Sequence, residues 1–319
     1  MGAETMKKRP FGRRQRLIGL AVGGVIVFSL ALTTLHAWFP AVPGWDALFA
    51  AARLREASCA EEIRTPGFLF VDVGQGDCTV ALGEKRAVMI DAGPGSAAHR
   101  VKEALGSRGV GELDALVVTH PHADHIGGAA AILQSYRVGK IFLPEGSPQS
   151  EDDLASLEAL LAAAQEQSAE VVVLTQSAEL FFDDLTLSVS VSPLRVSDEN
   201  DTGLVVRAAL PDCSALLTGD AGADTEYALM ERGDLLQSDI LKVGHHGSQT
   251  STSAAFLRRV SPQLAVISVG NNSYGHPNEK VTSRLSAAQI PYYRTDVSGN
   301  LFFSKETLAS SEPAISSAA

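Results

Sequence analysis

The stretch Thr119-His120-Pro121-His122-Ala123-Asp124-His125-Ile126-Gly127-Gly128 decides how this chain is read. It sets three imidazoles and one carboxylate within six residues: His120, His122, Asp124 and His125. Imidazole nitrogen and carboxylate oxygen are the ligands preferred by zinc and its divalent neighbours. A hydrophobic core has no use for such a cluster, so the pattern points to bound metal.

Upstream, Asp114 to Val118 reads as a buried strand that delivers this cluster at its carboxyl end. The same arrangement recurs along the chain. Asp91 ends the apolar run Ala87 to Ile90. Asp220 ends Leu-Leu-Thr-Gly-Asp. His245 and His246 end Leu-Lys-Val-Gly-His-His-Gly-Ser. His276 stands in Ser-Tyr-Gly-His-Pro. Acids and imidazoles at strand termini are what a metal site assembled from loops requires. His276 caps a turn before Pro277 or contacts substrate, Asp77 fixes a glycine turn, and Lys242 is a packed stem with a solvated head or a phosphate contact. The hydroxyl run from Ser248 to Ser253 reads as a helix cap and as an anion cradle. Gly127 and Gly128 allow close backbone approach.

Between the ends, short strands are expected at Phe68 to Val73, Cys78 to Leu82 and Ala87 to Ile90. Helices follow at Ala97 to Leu105 and Ile126 to Ser135, with a strand at Val138 to Leu143. An amphipathic helix over Asp153 to Gln165 places Leu154, Leu157, Leu160 and Leu161 on one face. The middle is β-rich: Glu170 to Leu174, Leu185 to Val191, Gly203 to Leu210 and Ser214 to Leu217, the last two joined by a turn at Pro211-Asp212. Strands at Asp239 to Val243, Leu264 to Val269 and Pro291 to Arg294 then alternate with helices at Ser253 to Val260 and Asn278 to Ala288. Strand runs inside an alternating pattern imply an α/β fold, a four-layer αββα sandwich.

The 319 residues suffice for one large domain or two ordinary ones, and 45% hydrophobic content supplies a core. Six of the 26 basic residues precede residue 40, beside one of the 37 acidic ones, leaving 20 against 36 in the remainder. So acidic a domain does not attract polyanions through its overall field. Cys59, Cys78 and Cys213 form neither a disulfide framework nor a Cys-x-x-Cys pair; Cys78 and Cys213 read as small buried hydrophobes.

The amino terminus addresses a membrane. Leu17 to Phe39 is free of acidic and strongly basic residues, about 34 Å as a helix against a hydrocarbon core of about 30 Å. The six upstream cations favour a cytoplasmic amino terminus. The expected layout is a basic cytoplasmic segment (1–16), a transmembrane anchor or cleaved signal (17–39), a linker (40–66) with a short helix near Asp46 to Glu56, a catalytic domain (67–304) and a disordered tail (305–319). That places the domain outside the cytoplasm, membrane-anchored or secreted.

The motifs His-x-His-x-Asp-His, Asp72 to Asp77 (Asp-Val-Gly-Gln-Gly-Asp), Leu-Thr-Gly-Asp and Lys-Val-Gly-His-His-Gly-Ser, in this order, resemble the metallo-β-lactamase fold superfamily. Within it the chain is most similar to the hydrolase domain of ComEC/Rec2 competence proteins and their single-domain relatives. The resemblance implies two divalent ions, zinc or manganese. His120 and His122 would hold the first, Asp124 and His125 the second, and Asp220 would bridge both. His246 is favoured over His245 as the further ligand, with His245 lining the pocket and Asp91 orienting a ligand imidazole. Asp124, His245 and His276 are the expected catalytic groups. The superfamily often supplies another histidine to the first metal, yet no histidine lies between His125 and His245. Asn200 or Asp201, in Glu199 to Val206, would supply an oxygen there.

The expected chemistry is hydrolysis of an ester by water that two divalent cations activate. A phosphodiester, as in single-stranded DNA, ranks first and an envelope-polymer phosphoester second. A β-lactam or thioester ranks third, and a metal-binding envelope protein without catalysis is the reading from another class.

Overall fold

The computed structural model describes residues 64–146, 148, 150–194, 199–310 and 314–316. They belong to the compact unit Glu62–Ala319. The basic segment, the apolar run Leu17 to Phe39, the helix near Asp46 to Glu56 and Cys59 lie outside the described residues. Among the described residues no helix is long and apolar enough to cross a membrane.

Strands β1 (Gly67–Phe70), β2 (Thr79–Leu82), β3 (Ala87–Ile90), β4 (Glu112–Val117), β5 (Arg137–Pro144) and β6 (Glu170–Leu174) form most of the first sheet. Strands β7 (Ala178–Phe182), β8 (Leu185–Val191), β9 (Leu204–Ala209), β10 (Ser214–Leu217), β11 (Ile240–Lys242), β12 (Leu264–Ile267) and β13 (Tyr292–Arg294) form the second. β14 (Asn300–Phe303) then returns to pair antiparallel with β1, and β15 (Ala314–Ser316) pairs with β14. The orders are β15-β14-β1-β2-β3-β4-β5-β6 and β13-β12-β11-β10-β9-β8-β7. Both sheets are mixed: β3 to β6 and β10 to β13 run parallel, the remaining pairs antiparallel.

Alternation in β1 shows how the layers form. Phe68 and Phe70 enter the layer between the sheets with Ile90, Val117, Leu187 and Leu217. Leu69 points the other way, to a layer with Met89, Leu116 and Leu160 under the helices. A third layer, with Leu216, Leu241, Phe256 and Leu285, lies under the helices of the second sheet. Because central strands are covered on both faces, they read as continuous apolar runs. The result is two mixed sheets flanked by helices, an αββα sandwich.

The helices that matter here are α1 (Ala98–Ser107), α2 (Ala123–Ile126), α3 (Ala129–Leu133), α4 (Glu151–Gln167), α5 (Glu199–Thr202) and α6 (Ala223–Arg232). They are followed by α7 (Ala254–Val260), α8 (Glu279–Ala287), α9 (Thr295–Ser298) and α10 (Lys305–Ser310).

Several expectations are corrected. The helix expected over Ile126 to Ser135 is two short helices, α2 and α3, broken at Gly127-Gly128. There the backbone crowds its neighbours: a Cβ on Gly127 would come within 2.8 Å of the Gly95 amide nitrogen. The tail expected from residue 305 carries α10, and β15 pairs with β14 at the edge of the first sheet. Leu160 is buried, but Leu154 and Leu161 are 45% and 41% exposed, so the leucines of α4 do not share one buried face. Helix α6 and strands β7 and β14 were not anticipated. Gly222 and Gly233 bracket α6, with Gly233 in the left-handed conformation (φ 82°) that ends a helix.

The candidate metal centre

The carboxyl ends of β3, β4, β10 and β11 carry the chemistry-bearing residues, as parallel strands place them outside their carboxyl ends. Asp91 follows β3 in the left-handed region (φ 57°), and its amide donates to the carbonyl of Val117 in β4 (2.9 Å). Its carboxylate accepts from the amide and the hydroxyl of Thr119, both at 2.7 Å, and lies 2.9 Å from His125 Nδ1. Nδ1 of His125 is thereby the protonated nitrogen, and Nε2 turns toward Asp220 Oδ1 at 3.3 Å.

His120 is set by the same relay. Thr119 Oγ1 gives its proton to Asp91 and stands 3.0 Å from His120 Nδ1, leaving His120 Nε2 to face His122 Nδ1 at 3.0 Å. His246 is oriented from the second sheet: its Nδ1 donates to the Ser268 carbonyl after β12 (2.9 Å). Its Nε2 then lies 3.2 Å from Asp124 Oδ2 and 3.6 Å from Asp220 Oδ2.

The turn carrying the histidine pair holds His245 at φ 48° and His246 at φ 51°. Left-handed backbone costs a residue with a Cβ about 1–2 kcal/mol. This turn sends His246 inward, buried, and leaves His245 at the rim with Nε2 3.5 Å from Asp220 Oδ2. His276 stands against His245 (ring centroids 5.5 Å apart) and Tyr274 against His276 (5.8 Å). Both backbone polar groups of His276 are held by the Asn272 side chain. His276 therefore belongs to the mouth, reaching the cluster through His245.

Four groups of side chains bring ligand atoms within 4.8 Å of one another: His120-His125-Asp220, Asp124-His125-His246, Asp77-Asp91-His125 and Asp77-Asp220-His246. We favour the first two, because Asp77 already has a cation, the ammonium of Lys242. His122 joins none of the four, although its Nδ1 faces His120. Asn200 is half-buried on α5, which leads into Leu204, whose amide donates to the Thr119 carbonyl (2.8 Å). The side chain of Asp201 lies outside the described residues.

A divalent cation fits this donor set. His125 Nε2, His246 Nε2 and Asp220 Oδ1 are buried and have no hydrogen-bond partner among the described residues. Buried polar atoms without partners are costly, and three that converge among carboxylates suit a shared cation. Nitrogen and carboxylate oxygen without thiolate suit zinc, manganese or iron.

The electrostatics agree. Burial opposes charging of His246, but the carboxylates of Asp220 and Asp77 outweigh it and push its pKa up to about 10. His125 is likewise raised against burial, by Asp220, Asp91 and Asp124. Asp220 and Asp124 are held low against burial, chiefly by His246 and His125 respectively. Metal-free, the carboxylates retain protons on the imidazoles; a divalent ion would replace them. His120 is pushed down by burial and by His125, and His245 and His276 are lowered mainly by burial.

Two residues of the centre escaped the sequence reading. Lys242 is no solvated head: it is 2% exposed, donates to the Gly219 carbonyl (2.9 Å), pairs with Asp77 and lies 3.9 Å from Asp220 Oδ1. Asp77 is buried beneath the cluster, with Oδ1 3.5 Å from His246 Nδ1. Against burial, Lys242 and His246 hold its pKa at about 2. The available signal was a lone cation inside an apolar strand covered on both faces, which has to find an acid.

Residues 71–270 match the model of the metallo-beta-lactamase superfamily. Over 251 residues the chain is 32% identical to ComE operon protein 3 of Bacillus subtilis, covering 72% of this chain and 32% of that protein. It is 34% identical to competence protein ComA of Neisseria gonorrhoeae over 236 residues, 73% of this chain and 31% of that one. The chain thus spans about a third of the length of the curated relatives it matches. The fold is similar to that of the metallo-beta-lactamase fold protein YhfI from Bacillus subtilis (TM-score 0.53, 10% identity, covering 75% of this chain and 100% of that one). Motifs, sandwich and histidine-carboxylate cluster together make this chain a member of the metallo-beta-lactamase superfamily, related to the competence proteins.

Proposed function

We propose that the domain is a phosphodiesterase that works with two divalent ions, zinc or manganese. The observation carrying this reading is the convergence of His120, Asp124, His125, Asp220 and His246, with three buried ligand atoms that make no hydrogen bond among the described residues. His122 would complete the first position beside His120, with an oxygen from Asn200 or Asp201, and Asp220 would lie between the two. Bound divalent ions lower the pKa of water and neutralise charge that builds on the attacked centre.

The chain's own residues do the rest. Asp91 and the Ser268 carbonyl fix the tautomers of His125 and His246, so their Nε2 atoms face the cluster. His245 and His276, with pKa values lowered mainly by burial, stand at the mouth as neutral imidazoles that contact and orient the substrate.

The resemblance to the competence-protein hydrolase domain implies DNA as the phosphodiester, and single-stranded DNA is the first substrate to try. The acidic balance speaks for a phosphoester of an envelope polymer as the second. With the apolar run 17–39 as anchor and the six cations before it inside, the domain would work on the outer side of the cytoplasmic membrane.

The test is turnover of bis(p-nitrophenyl) phosphate by zinc- or manganese-loaded protein, with a His122→Ala variant as control. Loss of activity in the variant supports the reading. Equal activity in both sinks it, and no turnover by either leaves a metal-binding protein without catalysis. Single-stranded DNA and purified envelope polymer, supplied side by side, separate the substrates.

A further inference from the structure

The His120 segment borders a second concavity. A cavity of about 240 Å³ lies between α4 and the strand ends of β5 and β6, walled by Pro121, Leu157, Leu161, Val171, Val173 and His120 itself. Val172 packs toward the layer between the sheets, so Val171 and Val173 face the helix side by alternation. Leu161, Val171 and Val173 are 41%, 37% and 53% exposed. Aliphatic side chains gathered around a hollow beside a metal cluster are the apolar surface that a ligand covers.

We propose that this cavity is a subsite for a compact apolar group of the substrate, held beside the phosphoester that is cleaved. The proposal rests on the phosphoesterase reading and, within it, places the envelope-polymer phosphoester ahead of single-stranded DNA. The shared wall carries it: His120 faces the metal cluster with Nε2 and also lines the cavity. The volume is below the roughly 300–1,000 Å³ of sites for drug-sized ligands, so it takes one group rather than an extended segment. Among the described residues no Phe, Tyr or Trp lines it to stack a nucleobase. The group that fits is uncharged and aliphatic.

The experiment titrates full-length protein with n-alkylphosphonates from methyl to hexyl by calorimetry. In parallel, kcat/KM is measured for the matching p-nitrophenyl alkyl phosphates. Affinity is expected to tighten up to about fourfold per methylene until the cavity is filled, with kcat/KM following. In Leu161→Asp and Val173→Asp the dependence on chain length flattens; both positions are open enough to solvent to accept a carboxylate without unfolding. Affinity independent of chain length in the unaltered protein, or a slope retained in both variants, overturns the proposal. So does thymidine 5′-phosphate binding more tightly than hexylphosphonate and losing that advantage in both variants, which makes the cavity a base pocket. A binding slope that both variants flatten, with no ester hydrolysed, removes the phosphoesterase reading and leaves an apolar subsite standing.

Discussion

Asp91 Oδ2 lies 2.9 Å from His125 Nδ1, and both side chains are sealed from solvent. The carboxylate also takes both Thr119 donors, so a single acid sets the ring orientation of His125 directly and that of His120 through Thr119. Asp91→Asn keeps the shape but puts an amide where an acceptor is needed. We expect divalent affinity to fall about 10–100-fold, measured by calorimetric titration, with the circular dichroism of the fold retained.

His246 and His245 are adjacent in sequence but face different ways. His246→Ala and Asp220→Asn should each lower metal uptake at least tenfold in elemental analysis. His245→Ala should keep the metal and lose turnover, because its ring stands at the mouth. The reverse pattern would exchange the roles of the two histidines.

Metal uptake should release protons. In the metal-free protein His246 is raised to about 10 from an ordinary 6.5, and His125 is raised too. Below those values an incoming cation competes with protons, so apparent affinity rises with pH toward about 10. Titration at pH 7 in two buffers of different ionisation enthalpy reads the proton release directly. The sign for stability is opposite. The contribution of protonated His246 to the metal-free fold is complete below about 6.5 and is lost as pH rises through 10. The Tm of metal-free protein should therefore fall between pH 7 and 10, and metal-loaded protein should be spared that fall.

Lys242 and Asp77 form a buried ion pair. Lys242→Met strands the Asp77 carboxylate and should destabilise the fold by about 3–5 kcal/mol, read from the denaturant midpoint. Adding Asp77→Asn should recover part of that loss, since the stranded charge is gone. Equal midpoints for the unaltered protein and Lys242→Met would show that the pair contributes nothing.

The six-residue cluster, the acid after β3, the acid after β10 and the histidine pair after β11 were all legible in the sequence. Each sits at the end of a short apolar run, and such runs announce their own boundaries. Family membership was legible for the same reason, because the motifs are local and ordered. The break between α2 and α3 was not. It arises from the contact of Gly127 and Gly128 with the segment after β3, which no local pattern encodes. The partner of Lys242 was hidden too, since Asp77 lies 165 positions away in the chain and in the other sheet's half of the molecule.

By itself, then, the amino-acid order determined the donor chemistry, the strand ends that carry it and the superfamily. Only the tertiary structure decided which atoms turn inward. It selected His246 over His245 through two left-handed residues and the Ser268 carbonyl, and it occupied Asp77 with Lys242. Residue type and spacing are properties of a single strand and its loop. Ring orientation and charge pairing depend on side chains from two sheets meeting across one layer of packing, and that meeting exists only once the sandwich has closed.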